Sequence, residues 1–347
     1  MMEEIAEKTA AYLAYRNPDA SDVVVHDISR IHGGASRQTY RFRATWTERG
    51  VAKERALILR RDPEASLIET ERDVEFNAYR ALHPTGLPVP EPVYLETETK
   101  WLDRPFFIME QIEGCLAASP FAQDPYGPLA EKIGEQFWRH LGDLAAHDPA
   151  AIGYSAEDQY PAGETCWKTA LDYWEGEIDG DSLCPQPIVK GAVRWLRRNP
   201  PPPPKKISVV HGDYRTGNFL YNDAGEIRAI LDWEMCHLGD PLEDIAWAAD
   251  PLWAFNDTRP GSMIDRDQAL ALWSKHSGME IDSVALRWWE IFSVVKGLAI
   301  WISAGKEYDA GNNVDPILAF SSWYCTDVHN RQLVSWMGDL IAEEERS

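Results

Sequence analysis

The chain has 347 residues, enough for one large domain or two lobes with a sizeable apolar core. Its 56 acidic residues against 34 basic ones give a formal net charge of −22, which argues against a nucleic-acid-binding or membrane-bound protein. A solubilising acidic surface accounts for that balance, and a cationic substrate is the other reading.

Cys115, Cys166, Cys184, Cys236 and Cys325 are scattered, odd in number and free of any Cys-x-x-Cys pair, so neither a disulfide framework nor a zinc site is suggested. The start, Met1-Met2-Glu3-Glu4-Ile5, carries no basic or apolar leader, and no run approaches the ~20 apolar residues that cross a bilayer. A cytoplasmic protein is expected. All the tryptophans except Trp46 and Trp101 lie after residue 130, as helix-packing residues of a large carboxy-terminal lobe would, and a few of them can line a pocket.

Ile5, Thr9, Tyr12 and Leu13 recur at helical spacing and stop at Asn17-Pro18, which predicts a helix over 3–15. Val23–Ile31 and Thr39–Ala44 read as strands around Gly33-Gly34-Ala35-Ser36. Backbone N–H groups at such a glycine tip, with the Ser36 hydroxyl, can approach phosphate oxygens, although an ordinary tight turn leaves the same signature. Arg55–Arg61 is a third strand. Its alternation puts Arg60 and Arg61 on opposite faces, and Arg60 is the better placed to meet phosphates. From Thr70, a plausible N-cap, to Leu82 the pattern is helical, and Glu75 falls on the face of Ala78, Tyr79 and Leu82, where a carboxylate calls for a cation such as Arg60.

A proline-rich loop, Pro84–Pro92, is followed by strands over Val93–Thr97 and Pro105–Gln111. Glu113-Gly114 closes this strand-rich part, and the remainder is mostly helical. Residues 124–147 carry one helix, 160–200 read as a helical insertion, and the five prolines Pro200–Pro204 form a stiff connector.

Ile207–Val210 then delivers His211-Gly212-Asp213-Tyr214-Arg215-Thr216-Gly217-Asn218. A hairpin over Phe219–Leu231, turning at Asn222–Gly225, brings in Asp232-Trp233-Glu234 at its end, and Gly239-Asp240-Pro241 starts a helix with Asp240 as its cap. Transfer of a phosphoryl group to a hydroxyl needs a carboxylate for the acceptor, hard oxygen ligands for a metal, and a cation for the phosphates. Asp213 suits the first role and Asn218 with Asp232 the second, with Glu234 supporting a second ion from the same strand face. Arg215 can neutralise charge on the phosphoryl group or pair with Asp244 or another carboxylate. His211 reads as a brace for the loop. A metallohydrolase cluster of His211, Asp213, Asp232 and Asp240 is a rival reading, but it leaves Arg60 and Glu75 without a role.

The order of these pieces resembles the aminoglycoside phosphotransferase-like kinases, a branch of the protein-kinase-like fold, over nearly the whole chain. That resemblance implies an α+β, two-lobed protein. Residues 1–110 would form a nucleotide-binding lobe with a small antiparallel sheet, and 111–347 a larger, mostly helical lobe for catalysis and substrate binding. The backbone from Glu110 to Ile112 would hold adenine. The resemblance makes Asp213 the catalytic base, Asn218 and Asp232 the Mg²⁺ ligands, Arg60 the cation on the ATP phosphates and Glu75 its partner.

Family members usually carry Lys where Arg60 stands. Leu57-Ile58-Leu59-Arg60-Arg61, His211-Gly212-Asp213-Tyr214-Arg215, Tyr173-Trp174, Trp195-Leu196 and Asp232-Trp233-Glu234 are similar to a particular branch, the kinase-like domains related to those of certain acyl-CoA dehydrogenases, where an Arg there is familiar. The implied activity is an ATP- and Mg²⁺-dependent small-molecule O-phosphotransferase whose hydroxylated acceptor is a hydroxyacyl-CoA or another apolar alcohol. An aminoglycoside-type kinase and a non-catalytic nucleotide-binding pseudokinase are the alternatives.

Overall fold

The computed structural model describes residues 2–31, 38–62, 72–155 and 157–344. Gly33, Gly34 and Ser36, and the proposed cap Thr70, lie outside them. The chain divides into two compact units, one of residues 1–115 with 228–234, the other of 116–227 with 235–347.

In the first unit, α1 (Met2–Arg16) buries Ile5, Thr9, Tyr12 and Leu13, the stripe that the spacing predicts. Asn17 ends it by donating its side-chain N–H to the Leu13 carbonyl at 2.8 Å. β1 (Ala20–Ile31), β2 (Gln38–Glu48) and β3 (Val51–Arg61) follow. β2 and β3 meet through Arg49-Gly50, both at positive φ (50° and 77°), a conformation that matches the natural twist of a tight hairpin. After α2 (Arg72–Leu82) come β4 (Pro92–Glu96) and β5 (Phe106–Glu110), and the antiparallel sheet runs β1-β2-β3-β5-β4. Phe42, Ala44, Leu57, Leu59 and Ile108 from its strands pack with Tyr12 and Leu13 of α1. Tyr12 sits edge-on to Phe106 and Trp101, with ring centroids 4.8 and 5.5 Å away.

The second unit is mainly helical. It begins with α3 (Ala130–Ala146), shorter than expected because Pro125 and Pro128 confine the preceding residues to a single 3₁₀ turn, Gly127–Leu129. α4 (Cys166–Asp181) and α5 (Pro187–Arg198) account for the expected helical segment before the prolines. Next come β6 (Ser208–Val210), β7 (Phe219–Tyr221) and β8 (Ile227–Ile230), of which β8 contributes mostly to the first unit.

The turn before β8 is closed by the Asn222 N–H to the Glu226 carbonyl, 3.0 Å. The strand stops at Ile230, two residues short of Asp232. Asp232 is left-handed (φ 69°) and Trp233–Met235 form a 3₁₀ turn, so Asp232 and Glu234 do not share a strand face as expected. β9 (His237–Gly239), not foreseen from the sequence, pairs antiparallel with β6.

α6 (Leu242–Ala248), buried at every position, is followed by α7 (Arg266–Ser277) and α8 (Ser283–Asp309). Asp282 caps α8 by accepting the Val284 and Ala285 N–H groups. α4, α5 and α6 pack on α8, together with the last helix, α10 (Thr326–Glu344), which is separated from α9 (Pro316–Phe320) by a π turn over Ser321–Cys325. Trp138, Trp247, Trp273, Trp288 and Trp289 are fully buried here, the packing role expected of the tryptophans. Among the described residues none of the five cysteines forms a disulfide. Among the described residues no helix is long and apolar enough to cross a membrane.

Candidate active site

Strand alternation aims Arg60 of β3 to one face and Arg61 to the other, where Arg61 donates to Gln38 and to the Leu102 carbonyl. Arg60 is 9% exposed. Its guanidinium pairs with Glu75 of α2, which is fully buried, and also reaches Asp232 at 3.2 Å and Glu234 at 3.9 Å. Burial alone would lower the Arg60 pKa, but Glu75 and Asp232 overcome that and hold the cation more firmly than usual. Tyr79, one helical turn after Glu75, accepts the Asp232 N–H on its hydroxyl at 3.2 Å. Burial and the Glu75 charge push its pKa well up, so it stays neutral. Four of the residues singled out in the sequence therefore gather in the first unit: Arg60, Glu75, Asp232 and Glu234.

Glu110 and Ile112 lie at the end of β5 and just beyond it. Glu110 pairs with Leu57 of β3 and takes the Glu91 N–H on its side chain at 3.2 Å, while Gln111 donates to the Ala56 carbonyl.

Asp213, Arg215 and Asn218 form the second group, on the loop between β6 and β7. Asp213 Oδ1 accepts the Trp247 indole N–H at 2.7 Å and Arg215 Nε at 2.9 Å. Its Oδ2 accepts Asn218 Nδ2 at 2.6 Å, and the same nitrogen reaches the Asp213 carbonyl at 2.9 Å. Asn218 thus turns its amide nitrogen to Asp213, which leaves the amide oxygen as the end for another partner. Arg215 also stacks over Trp253, 4.6 Å from the ring centroid.

The loop is held from beneath. His211, fully buried, accepts the Asp213 N–H on Nδ1 at 3.1 Å, which requires its proton on Nε2 and makes it the expected brace. Asp244 of α6, one of the partners considered for Arg215, instead accepts the His211 and Gly212 N–H groups at 2.7 and 2.9 Å. Burial raises its pKa, and those two N–H bonds oppose the rise only in part, so that it stands at about 6. Gly212 has φ 82°, and a Cβ there would lie 2.4 Å from the Met235 carbonyl oxygen, so only glycine lets the chain pass. Asp240 caps α6 through Leu242 N–H and takes the Trp289 indole on its other oxygen, a scaffold role away from the loop.

Residues 27–280 match the phosphotransferase enzyme family. The chain belongs to that family. It is 25% identical over 196 residues to acyl-CoA dehydrogenase family member 11 of Gallus gallus, covering 56% of this chain but only 25% of that protein, so it spans about a quarter of that relative's length. A Ralstonia eutropha protein provisionally described as an aminoglycoside phosphotransferase superposes with a TM-score of 0.73 at 19% identity, covering 95% of this chain and 98% of the other. A thermostable mutant of aminoglycoside phosphotransferase APH(4)-Ia, in ternary complex with ADP and hygromycin B, gives 0.57 at 16% identity, covering 95% and 98%. The fold is accordingly the α+β protein-kinase-like fold expected from the motif order.

For a phosphotransferase the donor chemistry matters. Among the described residues no group of three or more His, Cys, Asp or Glu side chains is placed to hold a metal ion. With His211 bracing the loop and Asp240 capping α6, the metallohydrolase reading has no support. An amide oxygen on Asn218 and a carboxylate on Asp232 are nonetheless the hard oxygen donors that magnesium takes, alongside phosphate and water. Sequence reasoning missed Trp247, Glu243 and Lys296 beside this loop. The available signals were adjacent acids in the otherwise apolar α6 and a lone cation in the apolar middle of α8.

Proposed function

We propose that the protein transfers the γ-phosphoryl group of ATP, in a magnesium-dependent reaction, to the hydroxyl of a small, largely apolar alcohol. The observation that carries this reading is the asymmetry of Asp213: among the described residues Oδ1 accepts two donors, whereas Oδ2 accepts Asn218 alone and keeps a lone pair. Oδ2 is then the base. It takes the proton of the acceptor hydroxyl as that oxygen bonds to the γ-phosphorus and the bond from phosphorus to the bridging oxygen breaks, leaving ADP. Asn218 and Asp232 would hold the magnesium ion, which supplies charge neutralisation on the phosphates, and Glu234 would support its waters. Arg60, fixed by Glu75, would bind the phosphates as a fork rather than as a point charge. The segment from Glu110 to Ile112 is assigned to adenine and Gly33, Gly34 and Ser36 to the phosphates. Arg215, paired with Asp213, is assigned to charge on the transferring group.

An aromatic cluster supports an apolar acceptor over a polycation. Phe121 packs edge-on against Phe320 and Tyr324, with centroids 5.2 and 6.0 Å away, and Phe320 and Tyr324 stack at 5.1 Å. Pro120, beside Phe121, and Ala118 approach Gly217 in the Asp213 loop, and the charge of Arg215 acts on Cys325, beside Tyr324. The acyl-CoA dehydrogenase name of the curated relative puts hydroxyacyl-CoA thioesters first among the alcohols to try.

The test is a screen of hydroxyacyl-CoA, aromatic-alcohol and aminoglycoside pools for ATP-dependent gain of one phosphoryl group. Gain in an apolar pool is the expected result. Gain only with aminoglycosides would overturn the acceptor assignment, and no gain together with metal-independent ATP binding would make the protein a pseudokinase.

A further inference from the structure

We infer that Lys296, in the middle of α8, is a positioning residue for Asp213, an inference that rests on the phosphotransfer reading above. Lys296 is 1% exposed, and its ammonium donates to the Gly212 carbonyl at 2.5 Å and to Glu243 Oε1 at 2.8 Å. It also lies over the ring faces of Trp247 and Trp174, 5.1 and 5.8 Å from their centroids. Glu243 is itself buried and takes His237 Nε2 on its other oxygen at 3.1 Å.

Two features separate this arrangement from an ordinary buried ion pair. The first is where the second hydrogen bond of the ammonium goes. Gly212 is the residue before Asp213, and the peptide groups on its two sides are both held, the one carrying its N–H by Asp244 and the one carrying its carbonyl by Lys296. The carbonyl belongs to the peptide plane that contains the Asp213 nitrogen, so holding it restrains the backbone from which the Asp213 side chain projects. The second is Trp247. Its ring face carries the Lys296 charge and its edge donates to Asp213 Oδ1, so one cation acts on the catalytic carboxylate through the backbone and through an indole. A buried charge is costly to keep, and here it is placed where it holds the loop in a single geometry.

The test uses the full chain in three forms beside wild type: Lys296→Met, Lys296→Arg, and the double variant Glu243→Gln with Lys296→Met. The double variant removes both charges at similar volume and so guards against simple unfolding. Three quantities are measured: the melting temperature, hydrogen exchange of the backbone amides from His211 to Asp213, and turnover of Mg·ATP with water or an acceptor pool.

The expected result for the double variant is a melting temperature near wild type, faster exchange in that segment, and kcat lower by about 10²-fold with KM for ATP little changed, the scale of a catalytic group displaced by ~1 Å. Lys296→Arg, which can still donate to the carbonyl, should recover part of both. A folded double variant with wild-type exchange and wild-type kcat would overturn the assignment. If wild type itself turns over no Mg·ATP, the phosphotransfer reading fails instead, and the exchange measurement alone decides whether Lys296 holds the loop.

Discussion

The two groups of polar residues are built on different principles. Around Arg60 one guanidinium is shared: it pairs closely with Glu75, then reaches Asp232 at 3.2 Å and Glu234 at 3.9 Å. Around Asp213 each contact is dedicated and short, between 2.6 and 2.9 Å, and the loop beneath is held by Asp244, His211 and Lys296. A shared cation can be redistributed when a ligand brings its own charges, whereas a carboxylate caged by dedicated donors is preorganised for one task. Under the proposed phosphotransfer, the first group would supply ligand-responsive electrostatics and the second fixed proton chemistry.

The largest expected effect tests the second half of that contrast. Asp213→Asn keeps the shape and loses the base, so kcat should fall by about 10²–10⁴-fold while ATP affinity stays within a few-fold, as read by steady-state kinetics and calorimetry. Breaking the shared cluster should show first in stability. Arg60→Met leaves the Glu75 carboxylate buried without its guanidinium and should cost about 3–5 kcal/mol in denaturant unfolding, whereas Arg60→Lys should recover much of that loss but weaken ATP binding. Equal losses for Met and Lys would mean that geometry rather than charge holds the cluster.

A smaller effect sharpens the idea of dedicated donors. Trp247→Phe deletes only the N–H to Asp213 Oδ1 and a sliver of packing, and a bond to a charged acceptor of ~1.5–3 kcal/mol corresponds to a roughly 10–100-fold fall in kcat. The smallest concerns pH. Burial would raise Glu243, but Lys296 and His237 hold it down, from 4.5 to about 2. Its contribution to stability is therefore present above pH 4.5 and lost as the pH falls from 4.5 towards 2. Asp240, which burial raises from 3.8 to about 6, acts in the opposite sense, favouring the folded state as the pH falls from 6 to 3.8. Melting temperatures across pH 2.5–7 should thus decline more steeply below pH 4.5 in wild type than in the double variant lacking the Glu243 and Lys296 charges.

Much of this was legible in the sequence wherever local periodicity decides geometry. Alternation along β3 is enough to separate Arg60 from Arg61, and helical spacing is enough to put Glu75 on the buried face of α2, so their pairing could be anticipated. The spacing of Asp213 and Asn218 marked both as residues of one loop, but the hydrogen bonds between them were not anticipated. What was not legible depended on tertiary neighbours or on backbone exceptions. Lys296 reaches Gly212 across 84 positions, and nothing local to either residue encodes that contact. The left-handed Asp232 broke the strand alternation from which the facing of Glu234 was inferred. Arg215 had several acidic partners to choose from in sequence and took the nearest, Asp213, because Asp244 is occupied by two backbone N–H groups.

The most direct test of the division between the two groups is a thermal-shift titration with ATP, with and without Mg²⁺, on wild type, Asp213→Ala and Asp232→Ala, paired with turnover. The account expects Asp213→Ala to keep magnesium-dependent stabilisation by ATP and lose transfer, and Asp232→Ala to lose the magnesium dependence itself. Retained turnover in Asp213→Ala, or an unchanged magnesium response in Asp232→Ala, would contradict it.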